Sequence, residues 1–296
     1  MVDEAIKRAL SNFDIKQINA IEQIYQSAWK VNDQYILKRN QNIEQLKKSI
    51  AISELLLNEN VPVAKFLRTE EDKAYITIDD YHYCLMNKLS GQRIDPYIGN
   101  YAENGLKLGR IVANLHVALK KIEPLVHVYD SWEFSYWIMD EITDNHIFIR
   151  QDVMDHCISF VHACTLLPKQ LVHGDIHLGN LLFEGDDFMG YLDFDLSQQN
   201  LRLLDICYLC SYMLIGIYHE QTRIPVWREI IKGVIAGYEE ITPLLACEKQ
   251  AFPDLFVLNE LTCVAFFSKS GQIDRLLPSV DMTHWIYENL DKLQIS

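Results

Sequence analysis

Between residues 173 and 195 the chain gathers an unusual density of groups able to handle a phosphate and a metal ion. The stretch His173-Gly174-Asp175-Ile176-His177-Leu178-Gly179-Asn180 is followed, after a short apolar run and a turn, by Tyr191-Leu192-Asp193-Phe194-Asp195. Asp175 offers a carboxylate that can orient and deprotonate an attacking hydroxyl. Asn180 and Asp193 offer the hard oxygens that magnesium prefers, one neutral and one charged. Gly174 and Gly179 let the backbone turn and approach a ligand closely. Taken singly, Asp, Asn and Gly are ordinary turn residues. Together, in this order and spacing, they form the set that phosphoryl transfer needs, which is positioning and charge neutralisation rather than covalent chemistry.

Such groups need a frame. Leu171–Val172 leads into the loop as a short strand. Leu181–Phe183 and Met189–Asp193 follow it, joined by a turn at Gly185-Asp186-Asp187. Further upstream, residues 1–12 read as a short amphipathic helix and Ile18–Tyr25, Ala28–Val31 and Tyr35–Arg39 as strands. Asn32-Asp33 supplies a tight hairpin turn, since both residues tolerate positive φ. Residues 41–59 place Ile43, Leu46, Ile50 and Leu57 at helical period, with Asn60 ending the helix and Pro62 preventing its restart. Two strands, Ala74–Ile78 and Tyr83–Leu89, complete a small sheet with one helix. Beyond Ser90-Gly91 the pattern is mostly helical: 101–122, 153–166, 203–218, 226–240, 254–268 and 282–293.

Bulk properties narrow the class. The chain of 296 residues is 49% hydrophobic and 23% charged, as in ordinary globular proteins. A net charge of −14 argues against binding to phosphate backbones and suits a cationic small substrate. Met1-Val2-Asp3-Glu4 lacks the features of a signal peptide, and the apolar run Ile206–Tyr218 is too short to span a bilayer. A cytoplasmic protein, bound neither to membrane nor to nucleic acid, is the expectation. The seven cysteines are scattered, and Cys207-Tyr-Leu-Cys210 sits in an apolar helical run, which reads as buried thiols rather than a metal site.

The string HGDIHLGN with YLDFD resembles the aminoglycoside phosphotransferase and choline kinase superfamily, including bacterial antibiotic kinases, homoserine-kinase-like proteins and spore-coat-type kinases. The resemblance is sharp over residues 171–212 and extends in layout over most of the chain. It implies an α+β, bilobal, protein-kinase-like fold: a small N-terminal antiparallel sheet plus helix (1–86), a hinge (87–91) and a larger, mainly helical C-terminal lobe (92–296). It implies ATP and Mg2+ as cofactors, Asp175 as catalytic base, and Asn180 and Asp193 as magnesium ligands. His173 and His177 would support the loop, Asp195 would be a second acidic position, and Asp205 a buried acceptor for loop amides. In the first lobe, Lys38 of Tyr35-Ile-Leu-Lys-Arg matches the strand lysine that holds the α- and β-phosphates. Glu54 or Glu44 would be its partner, although the count back from Val61-Pro62 falls near Ser49. The phosphate-covering turn at Tyr25–Trp29 has no glycine, leaving Ser27 and Ala28 to offer amides. Met86, Asn87 and Leu89 would meet the adenine.

The expected activity is transfer of the γ-phosphate of ATP to a hydroxyl of a small polar or cationic molecule: an aminoglycoside-like antibiotic, an amino alcohol, a homoserine-like compound or a sugar. Acids Glu133, Asp140, Glu141, Asp144 and Glu260 could receive ammonium groups, and Trp132, Tyr136, Trp137 and Trp285 could stack on cations. The alternatives are a kinase acting on protein hydroxyls and a nucleotide-binding scaffold with little turnover, the latter favoured by the glycine-free turn.

Overall fold

The computed structural model describes residues 4–127, 134–163 and 166–294. These form two compact units. One comprises Met1–Ile94, Pro124–His127 and Gly179–Leu196; the other comprises Asp95–Glu123, Val128–Leu178 and Ser197–Ser296. Residues 179–196, which chain order alone assigns to the region 92–296, therefore pack with the first unit.

The first unit is built on a five-stranded antiparallel sheet in the order β1-β2-β3-β5-β4. Its strands are β1 (Ile21–Tyr25), β2 (Ala28–Val31), β3 (Tyr35–Asn40), β4 (Ile76–Ile78) and β5 (Tyr81–Asn87). Asn32 and Asp33 both take positive φ (53° and 55°), and the Gln34 amide donates to the Val31 carbonyl at 3.0 Å. That is the mirror-image turn whose twist suits a hairpin. One face of the sheet buries Trp29, Val31, Leu37, Tyr83 and Leu85 against Ile6 and Leu10 of α1 (Glu4–Leu10). The other face meets α2 (Ile43–Asn58) through Leu46, Ile50, Phe66 and Cys84.

α2 is closed at both ends by local chemistry. The Asn42 side chain accepts from the Glu44 and Gln45 amides at 3.1 Å each. At the other end Asn60 takes φ 60°, and the Val61 and Asn60 amides reach back to Leu56 and Leu57 at 2.9 and 3.0 Å. This is a Schellman stop with asparagine in the left-handed position. The hairpin of β7 (Leu181–Glu184) and β8 (Asp187–Tyr191) completes the unit.

In the second unit β6 (Lys169–Val172) pairs with β9 (Gln198–Leu201), not with the strands that follow the loop. β9, with its sequence Gln-Gln-Asn-Leu, carries no apolar alternation and so gives no strand signal. The helices are α3 (Tyr101–Ile122), α4 (Phe134–Asp144), α5 (Gln151–Ala163), α6 (Leu203–Leu214), α7 (Ile224–Glu239), α8 (Ala246–Lys269) and α9 (Ile273–Glu288). Both α8 and α9 begin before the predicted starts, because Pro253 and Pro278 lie inside them instead of preceding them. α8 is long and apolar enough to cross a membrane, but its residues are largely buried against other helices of the unit. Cys207 and Cys210 are fully buried in α6, as small apolar residues would be.

α3 and α7 cross at glycines on both sides. A methyl added at Gly109 would lie 2.0 Å from the Val234 carbonyl oxygen, and one at Gly237 would lie 2.1 Å from that of Leu106. Backbone cannot yield as a side-chain tip can. Gly109→Ala is therefore expected to destabilise the protein by about 3 kcal/mol. Val117→Ala, at an exposed position of the same helix, is expected to change stability by less than about 0.5 kcal/mol. Urea unfolding of the two variants measures the difference.

Candidate active site

In the second unit the loop after β6 is held from beneath by a single buried carboxylate. Asp205, in the first turn of α6, is 1% exposed. It accepts from the His173 and Gly174 amides, each at 2.8 Å, and from His116 Nε2 at 3.0 Å. The other nitrogen of His116 meets the Tyr238 hydroxyl at 2.8 Å, which joins α3, α6 and α7 beneath the loop. Burial works to raise the Asp205 carboxyl, but the His116 hydrogen bond, the His116 and His173 charges and the Gly174 amide outweigh it and hold the pKa below its ordinary value. The acceptor role read for Asp205 from the sequence matches this geometry.

His173 is fully buried, and its Nδ1 accepts from the Asp175 amide at 3.2 Å while its carbonyl accepts from Ser197 Oγ at 3.1 Å. Gly174, with φ 81°, makes the turn that brings Asp175 out of the loop. His177 Nε2 lies 3.7 Å from the Asp175 carboxylate, and its ring stacks on Tyr212 with centroids 4.6 Å apart. Tyr208 hydrogen-bonds Asp175, and its phenol is raised by burial and by the neighbouring Cys263, Asp175 and Glu260. Sequence reading missed Tyr208, Tyr212 and His116, since aromatic and histidine residues on apolar helices look like core.

Glu260 of α8 belongs to the same neighbourhood. It is 2% exposed, and burial raises its carboxyl to about 8 against the opposing hydrogen bond from Ser279. From the ordinary value of 4.5 up to about 8, an unfolded chain ionises this group while the folded protein keeps its proton. Stability is therefore lost as pH rises through that window. Glu260→Gln is expected to raise the thermal midpoint at pH 8 and to leave it nearly unchanged at pH 4.5. The difference corresponds to roughly a few kcal/mol.

The remaining expected acceptor groups fare differently. Asp140 and Asp144 are exposed on α4. Glu141 accepts from Ser268 Oγ at 2.8 Å, and the Trp137 ring lies under Lys269 at 4.9 Å. Trp285, half-buried, packs edge-on against Trp227 and Tyr218. Trp132, Glu133 and the side chain of Tyr136 lie outside the described residues.

The first unit assembles the other half of the expected set. Asn180 is buried, and its carbonyl accepts from the Leu192 amide at 2.9 Å, which ties it to the residue preceding Asp193. Asp193 takes φ 62°, a left-handed conformation unusual for an aspartate and common where function fixes the backbone. Lys38 Nζ lies 2.8 Å from Asp193 Oδ1 and 2.7 Å from Asp195 Oδ2. Burial alone would lower the Lys38 ammonium, but the two carboxylates reverse this and hold it above its ordinary value. Ala28 stands opposite Lys38 in register, and the Ser27 carbonyl accepts from the Arg39 amide at 2.8 Å. Met86 packs against the α2 face of the sheet, and Leu89 lies over Gly190.

One expectation needs correction. Glu54 pairs with Arg68, and Glu44 with Lys47, so neither is the partner of Lys38; both turn away from the face that packs on the sheet. The Asn87 amide donates to the Lys65 carbonyl at 3.0 Å and its side chain accepts from the Lys65 amide. Its N–H is thus committed within the unit.

Asn180 and Asp193 are a donor set that fits magnesium, which takes one or two protein oxygens beside phosphate and water. The Oδ1 atom of Asp195 is buried without a hydrogen-bond partner. Among the described residues there is no cluster of three His, Cys, Asp or Glu side chains that would suit a transition metal.

A sheet-bound lysine, an Asp–Asn loop and a following aspartate on an α+β frame define a protein-kinase-like phosphotransferase. Residues 17–245 match the model of the phosphotransferase enzyme family, and the chain belongs to that family. It is similar to the homoserine kinase of Zymomonas mobilis, with 24% identity over 231 residues, 74% of this chain and 68% of that one. It spans 51% of the homoserine kinases of Agrobacterium fabrum and Rhizobium johnstonii. In fold it is similar to an amicoumacin kinase solved in complex with AMP-PNP, Ca2+ and Ami (TM-score 0.74, 17% identity, 100% of this chain and 95% of that one). It is equally similar to a microcompartment-associated aminopropanol kinase (TM-score 0.74, 18% identity, 99% and 100%).

Proposed function

We propose that this protein transfers the γ-phosphate of magnesium-bound ATP to a hydroxyl of a small, amine-bearing molecule. The observation that carries the reading is the Asp175 loop, whose two preceding amides are fixed on a buried carboxylate. A base so held keeps its position without the cost of ordering a mobile loop at each turnover. Asp175 accepts the proton of the acceptor hydroxyl. Tyr208, hydrogen-bonded to it, keeps its carboxylate turned toward that hydroxyl. Lys38 binds phosphate oxygens, and Asn180 and Asp193 would hold magnesium, which supplies charge neutralisation on the phosphates when bound.

Support for an amine on the acceptor comes from two sides. Glu260 is a buried acid within electrostatic reach of the groups around Asp175, and an incoming ammonium would favour its ionised form. Homoserine and aminopropanol, named for two of the similar kinases, each carry an amine beside a hydroxyl. The net charge of −14 favours such cations at long range.

ADP release measured against a panel of amine-bearing alcohols and amine-free polyols tests this. Magnesium-dependent turnover is expected with at least one amine-bearing alcohol and with none of the polyols. Absence of magnesium-dependent release across the panel contradicts it.

A further inference from the structure

In protein-kinase-like sites the strand lysine that meets the phosphates is itself held by a carboxylate on the neighbouring helix. In this chain α2 occupies the right place for that helix. Lys38 stands in register with Cys84, so both project from the same sheet face, and Cys84 packs against Leu46 and Ile50 of α2. Yet α2 turns no carboxylate to Lys38. Its buried face carries Leu46, Ser49, Ile50, Ile52, Ser53 and Leu56. Glu44 and Glu54 are paired with Lys47 and Arg68. The charged residue α2 does offer near this point is Lys48, whose ammonium is lowered by burial and opposed by the charge of Asp195.

The anion comes instead from the segment after β8. Asp195 Oδ2 lies 2.7 Å from Lys38 Nζ, and the two side chains are only 15% and 18% exposed. Asp193 contacts the same ammonium at 2.8 Å but is 43% exposed. The better-buried pair is the one least exchanged with water and least screened. We infer that Asp195 is the positioning residue for Lys38 and takes over the duty of the missing helix carboxylate. The division of labour follows from geometry: with Lys38 anchored on Asp195, Asp193 can serve a cation without releasing the lysine. This inference rests on the phosphotransferase reading above and assigns Asp195 a role acting through Lys38.

A double-mutant cycle on the binding of a fluorescent ATP analogue, in magnesium, tests it on the full chain. Lys38→Met and Asp195→Asn are each expected to weaken binding about tenfold, and the double variant to bind within about threefold of Lys38→Met alone. The loss in Asp195→Asn is expected to persist as magnesium is raised, and Glu54→Gln to bind as the wild type does. Losses that multiply to about a hundredfold, a loss that disappears at high magnesium, or wild-type affinity in Asp195→Asn each overturns the assignment. So does a loss in Glu54→Gln equal to that in Asp195→Asn. Thermal midpoints confirm that the near-isosteric Asn variant is folded. A wild-type protein that binds no analogue overturns the proposed function itself, whereas wild-type binding with independent losses overturns the role of Asp195 alone.

Discussion

Asp175→Asn is expected to lower turnover by about 10^2- to 10^4-fold while leaving nucleotide affinity and thermal stability near wild type. The substitution keeps size and one acceptor oxygen but removes the basicity that the proposed reaction needs to draw the proton from the acceptor hydroxyl. What holds the loop backbone in place does not involve that carboxylate: the Asp175 amide donates to His173 Nδ1, and the preceding amides are bound by Asp205. The loop therefore survives the change. Steady-state kinetics with titration of the nucleotide separates the two effects, with kcat falling and the KM for ATP unmoved. A parallel loss of nucleotide affinity would place Asp175 in ligand binding rather than proton transfer.

Asp205→Ala is expected to act on stability and activity together. Its carboxylate accepts three hydrogen bonds in a site that is 1% exposed, and its removal leaves two amides and the His116 ring facing an apolar hole. Losing one partner of a buried charged network costs about 3–5 kcal/mol. In a unit of this size each kcal/mol moves the midpoint by roughly 2–4 °C, so a fall on the order of 10 °C is expected. Asp205→Asn should lie between, since one carboxamide oxygen cannot serve both amides and the imidazole. The pH dependence has a definite sign. The folded carboxyl is depressed below its ordinary 3.8, so its contribution is complete above that value and disappears as pH falls through the folded value. Differential scanning calorimetry of wild type and Asp205→Asn from pH 6 downward should show the two midpoints converging in acid.

The parts of this protein that were legible in its sequence are those where chemistry or local backbone rules dictate residue type. The 173–180 loop and Asp193 stood out because the expected base, neutral oxygen and charged oxygen follow one another at set spacings. α2 and the Asn32-Asp33 turn were visible because asparagine and aspartate tolerate the left-handed conformations that both sites adopt. Asp205 was recognised by its place after the loop. The partner of Lys38 was not, because an ion pair between residues 38 and 195 leaves no local trace and the nearest helix acids were the natural guess. β9 was hidden by its polar composition, and the starts of α8 and α9 by prolines that read as boundaries. The α3–α7 crossing was equally silent, since four glycines on two distant helices acquire meaning only when the helices meet. Which acids would meet the proposed acceptor is the least legible part, because Glu260 is distinguished from solvated acids only by burial.

The central claim is that phosphorus leaves ATP and arrives on a carbon-bound hydroxyl with Asp175 as the base. Phosphorus NMR of a reaction containing ATP, magnesium and the best amine-bearing alcohol tests this most directly. The expected spectrum shows a new phosphomonoester, proton-coupled to the carbon that bore the hydroxyl, growing with ADP in equal amount and absent with Asp175→Asn. ADP accompanied only by inorganic phosphate, or a monoester formed as fast by the Asp175→Asn variant, contradicts it.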